Sequence, residues 1–389
     1  LVEGVWPAPA EPGPWLSRPM RKLAGLPSPE QKIGQAAHHF FSLASACRDV
    51  VLAAPLRRER APVVPARWLT RLETMLAGAG LTLERHDAAS WAAQLDMPQT
   101  RQLRPKPRPT PPAAARPDTL SISDVATLMA DPYAIYCRKI LNIRELDQLD
   151  EESDQSQFGE IVHAGLATFF EDKDAAARPG AVQALTTALL AEMLKQRPRA
   201  ALEQWWAARL ERIAAWVIEE EISRRTAQGA PKALRHEVEG TMPLGTFTLK
   251  GRADRIELSA AGTVSIIDYK TGTVPNAKSV KNGAAPQLPL EAVMAETGAF
   301  GEEFRATVAE LAYFKLSGRA EAGDETRPFK TDADIADAVA QAGAALPELF
   351  AKFARAETPY LARPHPSRPN QYDAYAGISR RAEWEDEPE

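Results

Sequence analysis

The chain of 389 residues is 44% hydrophobic and 25% charged, carries a net charge of −5 and holds only two cysteines. Such a length makes room for roughly two to three domains, and Cys47 and Cys137 alone cannot build a four-cysteine zinc or iron–sulfur site. No run of about eighteen apolar residues and no secretory signal pattern occurs, so no membrane association is expected and a reducing cytoplasm is the expected compartment.

In chain order, residues 1–97 open on Leu1-Val2-Glu3-Gly4-Val5-Trp6-Pro7, which reads as a strand and turn entered in mid-unit. The start on Leu rather than Met suggests a piece of a longer chain. A helix expected from Pro29 carries His38 and His39, which read more simply as helix surface than as a metal site. No G-x-x-x-x-G-K-[ST] phosphate loop is present, so no ATP binding is expected of this chain. Residues 98–117 hold seven prolines, five basic residues (Arg101, Arg104, Lys106, Arg108 and Arg116) and no acid. That composition favours extended polyproline II and resists a packed core, so a solvated spacer is expected; contact with a DNA backbone is the second reading.

Residues 118–389 read as an α/β domain. Ser123 or Asp124 is expected to cap a helix running to Ala130. Helical spacing from Gln157 to Phe170 places Gly159, His163, Leu166 and Phe170 on one face. Taken alone, a histidine there is more often a core residue than a ligand. Residues 181–227 carry long helical patterns with Trp205, Trp206, Ile213, Trp216 and Ile222, expected as core or domain interface. Residues 246–258 and 263–270 are apolar and β-branched and read as a hairpin around a short loop. Residues 311–316 read as a third core strand and 331–357 as a closing helix. Tyr372, Tyr375, Ile378 and Trp384 are the packing candidates of the C-terminal segment. The acidic runs 145–154 and 383–389 read as solvated.

The hairpin carries the chemistry. If it is symmetric about Ala261, residue i faces residue 522 minus i, and Asp254 lies across from Asp268. Directly opposed residues have Cβ atoms roughly 4.5 to 5.5 Å apart, a destabilising distance for like charges unless something compensates. Mg²⁺, or Mn²⁺ in its place, is the natural compensation, because hard cations take carboxylate oxygens and keep waters. Lys270 shares a face with Asp268 and can orient or help deprotonate an attacking water, or neutralise charge on a phosphate. The bland alternative is an ordinary Asp-x-Lys at a strand end, but a buried strand ending in Asp268-Tyr269-Lys270-Thr271-Gly272 places charges where packing does not want them. Lys250, Arg252, Arg255, Lys270, Lys278 and Lys281 are the candidate phosphate contacts.

The segments Gly251-Arg252-Ala253-Asp254-Arg255-Ile256-Glu257 and Ile266-Ile267-Asp268-Tyr269-Lys270-Thr271-Gly272 resemble the core of the PD-(D/E)xK nuclease superfamily, in the branch of the RecB nuclease domain. The resemblance implies a mixed sheet flanked by helices, with Asp254 and Asp268 holding metal and Lys270 handling water. It also implies His163 as metal ligand or support, Tyr269 offering its backbone carbonyl to the metal, and Gln287 holding the lysine or the DNA. Gln287 read by itself is a polar residue at a helix start. Residues 1–75 resemble the end of the helicase-like region of the AddB family, with His38-His39-Phe40-Phe41-Ser42 where active helicases carry a Thr-Arg pair. This implies an inactivated helicase-like α/β fragment over 1–97, a linker over 98–117 and the nuclease domain over 118–389. Asp131 stands where many AddB-type nucleases place the first cluster cysteine, which implies a cluster-free, alphaproteobacterial-type variant. The implied function is exonucleolytic resection of double-strand breaks for recombinational repair. The implied partners are DNA, as duplex ends and unwound single strands, and an AddA-type helicase-nuclease subunit. The alternative is a catalytically silent nuclease fold that serves as a DNA-binding or scaffold module.

Overall fold

The computed structural model describes the chain except for residues 59–60, 99, 101–103, 147–154, 365–372 and 385–389. Arg101, Tyr372 and most of both acidic runs therefore lie outside the described residues. Two compact units divide at Leu103 and Arg104. The first contains helices Arg18–Leu23, Gln31–Ala46, Arg67–Gly78 and Ala88–Leu95 and a minimal ladder between Arg57–Arg58 and Ala61–Pro62. Its centre is aromatic: Trp68 meets the Trp6 ring at 5.3 Å and stacks on Phe40 at 5.6 Å. His38 and His39 are exposed on their helix.

The second unit is built on a six-stranded mixed sheet. Its strands are β1 (Thr119–Ser121), β2 (Ala233–Leu244), β3 (Phe247–Leu258), β4 (Val264–Lys270), β5 (Val308–Leu316) and β6 (Gly323–Thr326). The helices that position the site are α1 (Ile122–Ala130), α2 (Gln155–Phe169), α3 (Ala181–Gln196), α4 (Ala200–Gln228), α5 (Gln287–Glu296) and α6 (Asp332–Ala354). The order is β1-β3-β4-β5-β6, with β2 antiparallel along the other edge of β3. Strands β1 and β5 run parallel to their neighbours β3 and β4, respectively; the β3–β4 and β5–β6 pairs are antiparallel.

Every residue of β4 except Lys270 is buried, because both faces of the strand are covered. Val264 and Ile266 join the core beneath α1, α5 and α6, whereas Ile267 and Tyr269 join the core beneath α2, α3 and α4. Strand β3 is shared unequally on its second edge. Strand β1 pairs with residues 248–250 and β4 with residues 255–258, so Gly251 to Asp254 have no strand partner on that side. The sheet is split there. Helices α1 and α5 close in behind the split: a Cβ on Gly251 would lie 2.7 Å from Met294 Sδ and 2.8 Å from Ile122 Cδ1. Only glycine lets the two helices approach so closely.

Several expectations are corrected by packing. Ser121, rather than Ser123 or Asp124, is the N-cap of α1; its hydroxyl accepts from Asp124 N–H while the Asp124 carboxylate accepts from Ser121 N–H. Asp124 is thus the third residue of a capping box, one turn inside the helix. The second half of the expected spacer, from Arg104, belongs to the folded unit. Arg116 is buried and donates to the carbonyls of Pro111, Phe353, Ala356 and Thr358, and Lys106 sits 5.0 Å over the Trp384 ring. A guanidinium with five donors can saturate a cluster of terminal carbonyls, and this offsets the poor packing of a proline-rich stretch. Trp206 and Ile213 are core residues as expected, but Trp205 and Ile222 are exposed, with the Arg209 guanidinium 5.1 Å from the Trp205 ring. The C-terminal segment is tied down by the Tyr133 hydroxyl donating to Ile378 O, Tyr375 donating to Ile143 O, and Arg363 N–H donating to Asp131. Among the described residues no helix is long and apolar enough to cross a membrane.

Candidate active site

The hairpin register follows the expected symmetry: Arg255 pairs with Ile267 and Leu258 with Val264. The ladder stops one pair short of Asp254 and Asp268. In its place, the Asp254 carboxylate itself accepts from Tyr269 N–H at 2.8 Å, so a side chain finishes the work of the strand. On the other edge, Glu237 stands between the pairs His236–Arg255 and Val238–Ala253, and so faces Asp254 from β2. Carboxylates from three adjacent strands therefore line up across the split. Glu237 holds a left-handed φ of 51° inside its strand, a conformation that costs a non-glycine residue about 1 kcal/mol or more and is retained where the surroundings over-determine it.

Helix α2 delivers His163 to this row. Its Nδ1 lies 3.1 Å from Glu237 Oε1 and 3.5 Å from Asp254 Oδ1, and its Nε2 lies 3.1 Å from Tyr269 O. Burial works against a charged imidazole, yet Asp254 and Glu237 outweigh it and hold His163 up at about 10. Both ring nitrogens thus face oxygen atoms, of Glu237 on one side and Tyr269 on the other. The Tyr269 carbonyl, expected to be free for a metal, accepts from His163 instead, so a ligand role for that carbonyl requires this bond to open. Helix α2 can come this near because of its small residues: a Cβ on Gly159 would stand 3.2 Å from Thr271 Oγ1.

Lys270, Asp268 and Gln287 form a second group beside the first. Lys270 Nζ donates to Asp268 Oδ1 at 2.9 Å and to Gln287 Oε1 at 3.2 Å. Gln287 Nε2, at the first turn of α5, donates to Asp268 Oδ1 and, at 3.0 Å, to Glu291 Oε1. Burial and the neighbouring Asp254 charge push Asp268 up to about 7. Burial also opposes the Lys270 ammonium, but Asp268 and Asp254 more than compensate and raise its pKa. Burial, with Asp268 and Asp254 nearby, raises Glu291 as well.

All six residues expected at the site, His163, Asp254, Asp268, Tyr269, Lys270 and Gln287, converge here. Arg255 does not: it is buried and donates to Glu221 at 2.6 Å and to Glu257. Lys250, Arg252, Lys278 and Lys281 are exposed. Two acids were not anticipated. Glu291 has a helical signal, four residues beyond Gln287, whereas Glu237 has none, because its place opposite Asp254 depends on a strand pairing unread in the sequence. A cleft of about 770 Å³, lined among others by Ser121, Lys250, Arg252, Asp254, Gln287 and Tyr313, opens where β1 and β4 part.

The donor set suits a hard divalent cation. His163, Glu237 and Asp254 offer ligand atoms all within 4.8 Å of one another, and the crowding that raises Asp268 is the kind that a cation relieves.

The PD-(D/E)XK nuclease superfamily matches residues 119–372. The chain belongs to that superfamily. Members typically use divalent metals and act on DNA, and the mixed sheet flanked by helices agrees with their fold. An uncharacterized protein of Rickettsia felis is 25% identical over 313 residues, covering 74% of this chain and 34% of its own length. Uncharacterized proteins of Rickettsia bellii and Rickettsia conorii are 30% identical over 183 and 194 residues, covering 46% of this chain and 22% of theirs. The chain thus spans between 22% and 34% of the length of these curated relatives. A solved structure, that of SSO0001, aligns at 14% identity over 59% of this chain and 76% of its own with a TM-score of 0.23, too low to indicate a shared overall arrangement.

Proposed function

We propose that this superfamily member is a Mg²⁺-dependent deoxyribonuclease, with Mn²⁺ able to substitute, that degrades DNA from its ends. The observation that carries the reading is the convergence of Asp254, Asp268 and Lys270 on the lining of one open pocket of about 380 Å³, with Lys270 aligned by both Asp268 and Gln287.

Asp254 and Asp268 would hold the cation, with His163, Glu237 and the Tyr269 carbonyl as neighbours. When bound, the cation supplies Lewis-acid charge to the scissile phosphate and to water. Because its raised pKa keeps Lys270 charged at neutral pH, its role is that of a donor: it orients a phosphate oxygen or the attacking water and offsets charge that develops on phosphorus-bound oxygens. Gln287 fixes the lysine, and exposed Lys250, Arg252, Lys278 and Lys281 are the phosphate contacts along the DNA. In our reading the chain is the nuclease end of an AddB-type subunit acting in double-strand break repair with an AddA-type partner that supplies unwinding. The sequence likeness of residues 1–75 and the greater length of the relatives support this assignment.

The test is degradation of linear DNA by the chain with and without Mg²⁺, before and after Asp268→Ala. Loss of at least about a hundredfold in the variant is expected, since charge stabilisation by a single active-site group is commonly worth that much. Unchanged degradation in the variant refutes the site, and no degradation by either protein favours a silent DNA-binding module.

A further inference from the structure

We propose that Glu291 is a positioning residue of the nuclease centre: its carboxylate fixes the orientation of the Gln287 amide, and through it the Lys270 ammonium. The inference rests on the proposed nuclease reading and goes beyond it to a residue that neither the motifs nor the hairpin indicate.

Glu291 is 1% exposed and lies on α5 among Leu288, Leu290, Ala292 and Met294, all buried. It also borders the cleft beside Asp254 and Gln287. Burying a carboxylate without a cationic partner is unfavourable by several kcal/mol unless it shifts its pKa or finds other compensation. Yet the single hydrogen bond of its side chain among the described residues is the one that Oε1 accepts from Gln287 Nε2, and Oε2 is buried without a partner. Among the described residues no other hydrogen bond uses this group.

Its one bond has a directional consequence. A glutamine amide presents an oxygen on one side and an NH₂ on the other, and the two sides look alike in shape. Asp268 and Glu291 are both acceptors on the NH₂ side of Gln287, so Oε1 is left to face Lys270 Nζ at 3.2 Å. Were the amide reversed, its NH₂ would confront the ammonium donor and its oxygen would confront two carboxyl groups. Asp268 alone can hold one Nε2 hydrogen, but it also binds Lys270 and sits where the cation is expected. Glu291 takes the other hydrogen from one turn further along α5. The i to i+4 spacing on α5 puts the two side chains on one helix face, so the restraint is built into the helix.

The experiment uses the full chain and a short linear DNA, with kcat and KM measured for the parent, Glu291→Met, Glu291→Gln, Gln287→Met and the Gln287→Met/Glu291→Met pair, and Asp268→Ala as control. Glu291→Met should lower kcat at least tenfold while KM stays within threefold and the melting temperature does not fall. Glu291→Gln, whose amide oxygen still accepts from Gln287, should stay within threefold of the parent. The double variant should be no worse than Gln287→Met, the mark of two residues acting in one path. If Glu291→Met does not fold, Glu291→Leu takes its place. Parental kcat in the apolar variants, additive losses in the double variant, or a loss in Glu291→Gln equal to that of Glu291→Met overturns the inference. Parental activity in Asp268→Ala would instead overturn the nuclease site itself.

Discussion

Arg255 shows how far this domain leans on buried charge. Its guanidinium is 1% exposed and lies between Glu221 and Glu257, also buried; Glu221 in turn binds Arg225 at 2.9 Å, and Glu257 lies 3.6 Å from Arg224, which holds Glu310 at 2.8 Å. Arg255→Met fills the space but leaves two carboxylates short of a partner. Removal of one member of a buried ion pair typically costs about 3–5 kcal/mol. Because Arg224 and Arg225 still touch the two acids, we expect the lower end, about 3 kcal/mol, or roughly 6–12 °C in melting temperature for a domain of this size. Glu257→Leu added to Arg255→Met should recover part of the loss, since an apolar group in that space needs no partner. The pH dependence has a defined sign. Burial opposes Glu221 ionisation, but Arg255 and Arg225 win and hold its folded pKa below the usual 4.5. The stabilisation from that pairing is therefore complete above that value and fades as pH falls through the depressed folded value. The gap between parent and variant should be widest near neutrality and should narrow in acid. Urea unfolding followed by circular dichroism at pH 7 and pH 4 measures both. A loss under about 1 kcal/mol at pH 7, or a gap that widens in acid, refutes the reasoning.

Gly165→Ala should destabilise the domain by about 1–3 kcal/mol, because the new Cβ would stand 2.6 Å from Leu189 Cδ2 and 3.0 Å from the Leu189 backbone; since His163 rides on the same helix, DNA cleavage should fall alongside thermal stability. Ser121→Ala removes the capping hydroxyl of α1 and should lower unfolding stability by about 1 kcal/mol at pH 7. Asp124 resists burial through its bonds to Ser121 and Lys139, which hold its pKa below the usual 3.8; Asp124→Asn should accordingly cost less in acid than at pH 7, and a constant penalty across that range would refute it. Arg252→Ala should weaken DNA binding and reduce the slope of log affinity against log salt by about one, as expected for an exposed guanidinium whose only ion pair among the described residues is with Glu237 at 2.9 Å; an unchanged slope removes Arg252 from the DNA path.

The hairpin was readable because its two strands are sequence neighbours. One loop sets the register, and Asp254, Asp268 and Lys270 follow from it by counting. His163 was readable as a helical face but not as a partner of Asp254, a contact 91 positions distant that only the packing of α2 on the sheet creates. Glu237 was invisible for the same reason, since its meaning comes from β2. Arg255 misled because charge type says nothing of direction: alternation turns it from Asp254 into the core, where Glu221 of α4 meets it. The proline-rich segment misled by composition, which speaks for backbone stiffness but not for the carbonyl cluster that captures Arg116.

The bond from Tyr269 N–H to the Asp254 carboxylate makes one side chain serve two trades, as a rung of the sheet and as a charge in the site. Truncation there removes both at once, so a dead Asp254→Ala protein reports on neither alone. Asp254→Asn parts them. Its amide oxygen can still receive the Tyr269 N–H and hold the end of β4, while the charge is gone. A folded but inactive Asp254→Asn protein next to a loosened Asp254→Ala protein would show that the end of β4 is anchored beside the split by the same residue whose charge the site needs.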